Sequence, residues 1–201
     1  YWDRITHPAQ ILSSLPQAVA TMLDPGDCGP AFIGLPQDIA AEAYDFPEAF
    51  FDTHVHTIPR PRPDLTQLAK AVSAIKSAKR PVIIAGGGVH YSLAEAELAA
   101  FAEKFGIPVV ETVAGKSSLL SDHPQYSGPL GVTGAAAANA VVSKADLVLA
   151  VGTRLEDFTT GSWTLFDPDT TFVGINPARF DALKHQSLPL VADAKEALLE
   201  L

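Results

Sequence analysis

The residues of this chain best suited to gripping an anion recur at the ends of apolar runs. Gly86, Gly87 and Gly88 close the run "PVIIAGGG", and Thr112 ends "IPVVET" with Gly115 and Lys116 just beyond it. Gly152 and Arg154 follow "DLVLAV", Asn176 ends "TFVGIN", and Asp193 follows "PLVA". Glycine lets a chain turn tightly and brings backbone N–H groups within reach of a phosphate. Lys116 offers a flexible point charge, and Arg154 a planar fork that takes phosphate or carboxylate through two parallel hydrogen bonds. Glu111 is placed to accept from a ribose hydroxyl in a dinucleotide scheme. Each of these residues alone is an ordinary cap, turn or surface group. Their recurrence at one kind of position points to a nucleotide-shaped crevice. The dinucleotide fingerprint is incomplete, because Tyr91 stands where its third glycine belongs.

Other chemistry is poorly supported. No Ser, His and Asp surround a nucleophile elbow, and Ser117 and Ser118 beside Lys116 read as a polar loop rather than an activated serine. His54 and His56, two apart in "DTHVHT", would project from one side of an extended segment in the manner of a metal-binding barrel opening. No further histidine or aspartate completes such a site, so the pair reads as exposed linker. Tyr126, Trp163 and Phe166 are able to stack on a flat ring, or equally to pack in a core or an interface. No residue is assigned a catalytic role, and none a metal.

These groups need elements to hold them. From Asp64 onward, helical and apolar stretches alternate: helix "DLTQLAKAVSAIKSAK", strand "PVIIAGGG", helix "SLAEAELAAFAEKFG", strand "IPVVET", then a long connection from Ala114 to Gly134. Helix "AAAANAVVSKA", strand "DLVLAVG", strand "TFVGIN", a short helix over Ala178–Lys184, strand "PLVA" and a helix from Asp193 complete the series. Strands of Val, Ile and Leu without polar alternation are buried on both faces, and their alternation with helices requires a parallel sheet. The expectation for 64–201 is therefore an α/β, doubly wound, mostly parallel sheet of five or six strands with helices on both faces. Before it, 46–63 is a proline-rich linker, with Pro47, Pro59, Pro61 and Pro63. A helix over Pro8–Leu23, with Thr6 as a candidate cap and Pro16 as a candidate kink, and the strand "AFIGLP" form 1–45. One helix and one strand cannot bury themselves. These residues, with the aromatic Tyr1 and Trp2 expected inside a core, read as the tail of a preceding α/β domain in a longer protein.

Composition narrows the partners. An excess of 23 acidic over 14 basic residues gives a formal charge of -9, which repels phosphate backbones and anionic lipid. Nucleic acid and membrane are not expected partners. The one cysteine, Cys28, cannot form an internal disulfide and reads as a small buried hydrophobe in a cytoplasmic protein.

The order "LPQDI", proline-rich linker, "RPVIIAGGGV", "FGIPVVET", "AGKSSL", "HPQYSGPLGVTG", "ADLVLAVGTRLEDFTTGSW", "FVGIN" and "LVADA" resembles the middle domain of the thiamin-diphosphate-dependent enzymes related to acetohydroxyacid synthase and pyruvate oxidase. The segment before the linker is similar to the end of their N-terminal, pyrimidine-binding domain. Within the group, "GTRLEDFTTGSW" and "FDALKHQSLPLVADA" are most similar to the branch that hydrolyses a cyclic polyhydroxy-dione to 5-deoxy-glucuronate in inositol catabolism. The resemblance implies thiamin diphosphate and magnesium held by flanking domains, a small-molecule substrate reached through them, and a homodimer or homotetramer. In flavin-binding relatives the middle domain grips FAD at positions matching Gly86 to Gly88, Thr112, Gly115, Lys116, Gly152, Arg154, Asn176 and Asp193. Hydrolysis of a dione transfers no net electrons, so an unoccupied or weakly occupied crevice is favoured. An acetolactate synthase-like enzyme with FAD, an NAD-binding Rossmann domain and a purely structural spacer are the competing readings.

Overall fold

A computed structural model describes Tyr1 through Leu201, and the chain divides into two compact units, Tyr1–Pro59 and Arg60–Leu201. In the first unit, strand β1 (Trp2–Arg4) leads through a single 3-10 turn at Pro8–Gln10 into helix α1 (Ile11–Leu23). Strand β2 (Phe32–Gly34) pairs parallel with β1, Trp2 opposite Phe32, and a short helix α2 (Gln37–Ala40) follows. Asp3 ties β1 to this helix layer, since its carboxylate accepts from the Ser14 hydroxyl and the Gln10 amide.

Several expectations for this region are corrected. Thr6 is not the cap: the His7 ring accepts from the Ala9 N–H, while the Thr6 N–H donates to Gln10 Oε1. α1 runs through Pro16 as one helix. Trp2 is not in a core; it stacks on Phe32 at 6.3 Å with 70% of its surface exposed. Cys28 is likewise exposed rather than buried, its thiol resting on the Met22 carbonyl. Beyond α2, Tyr44, Phe46, Phe50 and Phe51 form an aromatic cluster with ring separations from 4.8 to 6.2 Å, so the start of the proline-rich stretch is not bare linker.

The second unit begins at Arg60, whose guanidinium lies 2.8 Å from Asp193. Helix α3 (Leu65–Ser77) starts where the Asp64 carboxylate accepts from the N–H groups of Thr66 and Gln67, both at 3.0 Å. There follow β3 (Pro81–Ala85), α4 (Gly88–Tyr91), α5 (Glu95–Phe105) and β4 (Val109–Glu111). α5 ends at Gly106, whose φ of +64° is the left-handed cap that glycine adopts without strain. Next come β5 (Tyr126–Pro129), α6 (Ala136–Val142), β6 (Leu147–Val151), α7 (Asp157–Thr160), β7 (Thr171–Ile175), α8 (Arg179–Ala182), β8 (Leu188–Leu190) and α9 (Ala194–Glu200).

The six strands of this unit lie in the order β5-β4-β3-β6-β7-β8, and every pair is parallel. Alternate residues feed two cores. Ile83, Ala85, Val109, Leu149 and Ile175 face Ala71, Leu98, Phe101 and Leu198 from α3, α5 and α9. Val82, Ile84, Val110, Val148 and Ala150 face Ala138 and Val142 of α6, with Trp163, Phe166 and Phe172 packed beside them. The expected doubly wound sheet is present, with six strands. Fully burying one Ile or Leu stabilises by about 1.5–3 kcal/mol, which is why the central strands β3 and β6 are apolar on both faces. The strand at one edge, β5, falls within the connection expected over Ala114–Gly134. Both edge strands carry a proline, Pro129 and Pro189, where a missing N–H is tolerated. The helix expected from Ser92 to Gly106 begins later, at Glu95, because Leu93 takes a φ of +53° between α4 and α5.

Candidate functional site at the carboxyl edge of the sheet

The chain leaves β3 for β4 and β5 on one side, and β6 for β7 and β8 on the other. The switch point therefore lies between β3 and β6, where open parallel sheets form their ligand crevice. The loop after β3 carries Gly86, Gly87 and Gly88, and the loop after β6 carries Gly152, Thr153 and Arg154. These sequence-predicted residues do meet.

Their geometry differs from an anion cradle. The Gly86 N–H donates to the Val151 carbonyl at 2.9 Å, and the Gly88 N–H to the Gly152 carbonyl at 2.8 Å. A Cβ on Gly88 would stand 2.5 Å from the Gly152 Cα, and one on Gly86 2.4 Å from the Gly152 carbonyl oxygen. These glycines let two backbones touch, and their N–H groups are spent on the neighbouring strand and loop. Gly152 takes φ +59° in the same contact. Gly87 is the roomier position, its nearest neighbour being the Ala114 Cβ at 3.3 Å.

The loop after β4 is built inward as well. The Thr112 N–H donates to the Ala85 carbonyl, and its hydroxyl accepts from the Gly115 N–H at 3.0 Å. A Cβ on Gly115 would meet the Ala85 carbonyl oxygen at 2.1 Å, so this loop lies directly on the end of β3. Glu111 does not reach a ribose position. It is 3% exposed, and its Oε1 accepts from the Leu119 N–H at 3.0 Å. Tyr126 lies half-buried and packed against the core, where burial first and the Glu111 charge second raise its hydroxyl pKa. Trp163 and Phe166 pack on the other core, 5.2 Å apart, and the Trp163 ring lies against His185.

Asn176 and Asp193 are also committed. The Asn176 amide donates to the Thr153 carbonyl at 3.4 Å, and its oxygen accepts from the Ala178 N–H. Asp193 is 4% exposed; its carboxylate caps α9 through the N–H groups of Lys195 and Glu196 and binds Arg60 with its other oxygen. Two side chains remain available. Lys116 is exposed, and the Arg154 side chain is 69% exposed, with Asp181 at 3.7 Å and Glu156 at 3.8 Å. Exposed pairs of that kind contribute about 0–1 kcal/mol, so the fork of Arg154 is free to exchange partners. Lys184, unremarked in the sequence, joins this corner: its Nζ donates to the Arg154 carbonyl at 2.9 Å and pairs with Asp181 at 2.7 Å. The loop through His185 has a φ of +57°, which no spacing rule announces.

One cluster has the outline of an acid–base relay. His90 Nδ1 lies 2.7 Å from Glu95 Oε1, and His90 Nε2 lies 3.4 Å from Ser118 Oγ. Nε2 is closer to the Lys116 carbonyl, at 3.0 Å, and Ser118 donates to the Gly115 carbonyl at 2.7 Å while almost fully buried. Both ring nitrogens thus face acceptors, an arrangement that only the doubly protonated ring satisfies in full, and in that form no lone pair is left for the serine. The Glu95 hydrogen bond accordingly raises the His90 pKa, against the effect of its partial burial. The cluster is a latch that fastens α4 to the loop 112–119. His54 and His56 are exposed, and no three His, Cys, Asp or Glu residues lie together as a metal site.

Comparison with known proteins agrees with this architecture. Residues 68–201 match the family model of the thiamine pyrophosphate enzyme, central domain. The chain is 50% identical over 202 aligned residues to 3D-(3,5/4)-trihydroxycyclohexane-1,2-dione hydrolase 1 of Bacillus cereus, covering all of this chain and 31% of that protein. The corresponding hydrolase of Bacillus thuringiensis (strain Al Hakam) matches to the same extent. The chain thus spans about a third of the length of these curated relatives. Among solved structures, a thiamin diphosphate-dependent enzyme from Mycobacterium smegmatis superposes with a TM-score of 0.78 at 27% identity, over 98% of this chain and 38% of that one. Benzoylformate decarboxylase from Polynucleobacter necessarius shares the fold at TM-score 0.78 and 21% identity, over 99% of this chain and 37% of its own.

Proposed function

The chain belongs to the thiamine pyrophosphate enzymes, whose central domain it contains, and on that premise we propose that it serves a whole enzyme that hydrolyses 3D-(3,5/4)-trihydroxycyclohexane-1,2-dione to 5-deoxy-glucuronate in inositol degradation. The 50% identity over the whole chain carries this reading. Thiamin diphosphate and magnesium are assigned to domains outside these residues, where the cofactor would supply the electron sink for carbon–carbon cleavage. Residues 1–45 are assigned to the end of the pyrimidine-binding domain, 46–63 to the linker and 64–201 to the central domain. The whole enzyme is placed in the cytoplasm as a homodimer or homotetramer.

Within that enzyme the central domain acts as a spacer whose carboxyl-edge crevice holds no nucleotide. The observation behind this is the fate of the expected ligands: Gly86, Gly88, Thr112, Gly115, Gly152, Asn176 and Asp193 all have internal partners or close backbone neighbours. The free Arg154 and Lys116 favour one second reading, a nucleotide held at its phosphates, as in an acetolactate synthase-like enzyme with FAD.

Two measurements separate the readings. The full-length enzyme, supplied with thiamin diphosphate and magnesium, should hydrolyse the dione and should not condense pyruvate; condensation without hydrolysis would overturn the substrate. The 201-residue chain should show no thermal shift with FAD, ADP or NAD. A ligand at a hundredfold excess over its dissociation constant adds about 2.7 kcal/mol, so a shift with FAD or ADP that Arg154→Ala abolishes would establish the second reading.

A further inference from the structure

Within the second unit, the His90 ring joins two chain segments through acceptors that a neutral ring cannot satisfy together. Its Nδ1 faces a carboxylate, Glu95 Oε1 at 2.7 Å, and its Nε2 faces the Lys116 carbonyl at 3.0 Å. His90 is the one hydrogen-bond donor that this carbonyl has within the chain. The next residue, Ser117, makes no hydrogen bond and takes a φ of +70°, a left-handed conformation that strains any residue with a Cβ. On either side the loop is anchored independently of the ring: the Thr112 hydroxyl accepts from the Gly115 N–H, and Glu111 accepts from the Leu119 N–H. Between these anchors the Lys116 N–H reaches the Val113 carbonyl only at 3.4 Å, so the ring is the firmest hold on the segment. That hold is a group able to lose a proton near neutral pH.

Geometry decides which proton leaves and what replaces it. Nδ1–H faces an ion and Nε2–H a neutral carbonyl; the ionic bond is the shorter and the stronger, so the Nε2 proton is lost first. The bared Nε2 lone pair then faces the lone pairs of the Lys116 carbonyl. An alternative donor stands close by: Ser118 Oγ lies 3.4 Å from Nε2, its hydroxyl donating to the Gly115 carbonyl at 2.7 Å. That carbonyl also receives the Ser118 N–H at 3.0 Å, so the hydroxyl can rotate away without orphaning it. Lys116 is exposed, and its freed carbonyl turns to water. The charged groups around the ring are Glu95 at the start of α5, Glu111 at the end of β4, Lys116 on the loop and Lys195 of α9, which acts on Glu95. The Glu95 hydrogen bond, opposed by partial burial and helped by the Lys116 carbonyl and the charges of Glu95 and Glu111, raises the pKa of the ring.

We propose that His90 is a proton-operated catch on the loop after β4. With both nitrogens protonated, the ring holds the Lys116 carbonyl and Ser117 keeps its left-handed backbone. When Nε2 gives its proton to solvent, the Ser118 hydroxyl donates to Nε2, the Lys116 carbonyl is released and Ser117 relaxes. The pH thereby sets how firmly Lys116, one of the two available cations at the carboxyl edge, is held there. The catch lies within the second unit and does not rest on the enzyme's substrate.

The experiment is an NMR titration of the isotope-labelled 201-residue chain from about pH 5 to about pH 9, read at the imidazole nitrogens and the backbone amides. His90→Gln assigns the His90 signals. In the neutral ring the remaining proton should sit on Nδ1. The amides of Lys116, Ser117 and Ser118 should shift with the His90 midpoint in the wild type and stay still in His90→Gln. Above that midpoint the order parameters of Lys116 and Ser117 should fall from about 0.85 toward about 0.6. Ser118→Ala removes the alternative donor from a buried position while keeping its Cβ, so the neutral ring loses its partner. The His90 midpoint should then rise by about half a pH unit, roughly threefold in proton affinity. The amide spectrum of the variant verifies its folding, and the wild-type tautomer, midpoints and order parameters test the catch without it. A neutral ring protonated at Nε2, loop amides that do not share the His90 midpoint, unchanged order parameters, or a midpoint indifferent to Ser118→Ala would each overturn the proposal.

Discussion

A glycine in the run after β3 is informative through what its missing Cβ would strike. Gly88→Ala would force a methyl group to 2.5 Å from the Gly152 Cα, backbone against backbone with no flexible side chain to yield. It should destabilise by about 1–3 kcal/mol or more, whereas Gly87→Ala, whose Cβ would first meet the Ala114 Cβ at 3.3 Å, should change urea-unfolding stability by well under about 1 kcal/mol. Equal effects would remove the packing explanation for the glycine run. The same run shows what was legible at this scale: its position at the switch point was readable from the sequence, but its partners were not. Whether an N–H faces solvent or a neighbouring loop depends on the register between β3 and β6, which are far apart along the chain. His90 supplies a second test. Its folded pKa is raised, so its stabilising contribution is complete below the unfolded value of about 6.5 and is lost as pH rises through the higher folded value. His185, whose pKa burial lowers, works in the opposite sense: its contribution is present above about 6.5 and lost as pH falls. Subtracting the stability–pH curve of His90→Gln from that of the wild type should therefore leave a difference that shrinks as pH rises past neutrality. A difference that grew with pH would disprove the double-donor latch.

Helices and strands were legible in proportion to how much of their surface the core claims. β3 and β6 are apolar on both faces and stood out as uninterrupted runs, and α3 announced its start through Asp64. β5 did not, because an edge strand of "YSGP" with a shifted register against β4 has neither alternation nor an apolar run to signal it. α7 has only four residues and did not stand out, whereas α8 falls within the short helix expected over Ala178–Lys184. α9 is the instructive case, since Asp193 matched a ligand position by order along the chain but acts as a cap in the fold. Replacing a capping Asp by Ala costs about 1 kcal/mol, and leaving a partly buried cation without its partner adds to that. Asp193→Ala should therefore destabilise by about 2–4 kcal/mol in urea unfolding. Asp193→Asn should cost less, since asparagine caps nearly as well as aspartate and forfeits only the charge opposite Arg60. Were Asn as costly as Ala, the ion pair rather than the cap would govern the start of α9.

At the scale of the whole chain, the proline-rich stretch is where composition and architecture part company. Pro59, Pro61 and Pro63 read as a continuous linker, yet Arg60–Pro63 is bonded into the second unit at three points. Arg60 pairs with Asp193, the Pro61 carbonyl accepts from the Asp193 N–H at 2.8 Å, and Arg62 pairs with Glu200. Proline favours an extended backbone without donating hydrogen bonds, which suits a strap whose carbonyls and flanking arginines do the bonding. The second unit has a six-stranded sheet with a core on each face, the arrangement that folds independently. A chain beginning at Arg60 should accordingly unfold in one cooperative transition in urea. One beginning at Asp64 should fold as well but be less stable by about 2–4 kcal/mol, because it forfeits a backbone hydrogen bond and leaves the carboxylate of Asp193, 6% exposed, without its cation. The exposed Arg62 pair adds little to that difference. Equal stability of the two chains would mean that the strap only passes over the surface, and the second unit would then begin in energetic terms at α3.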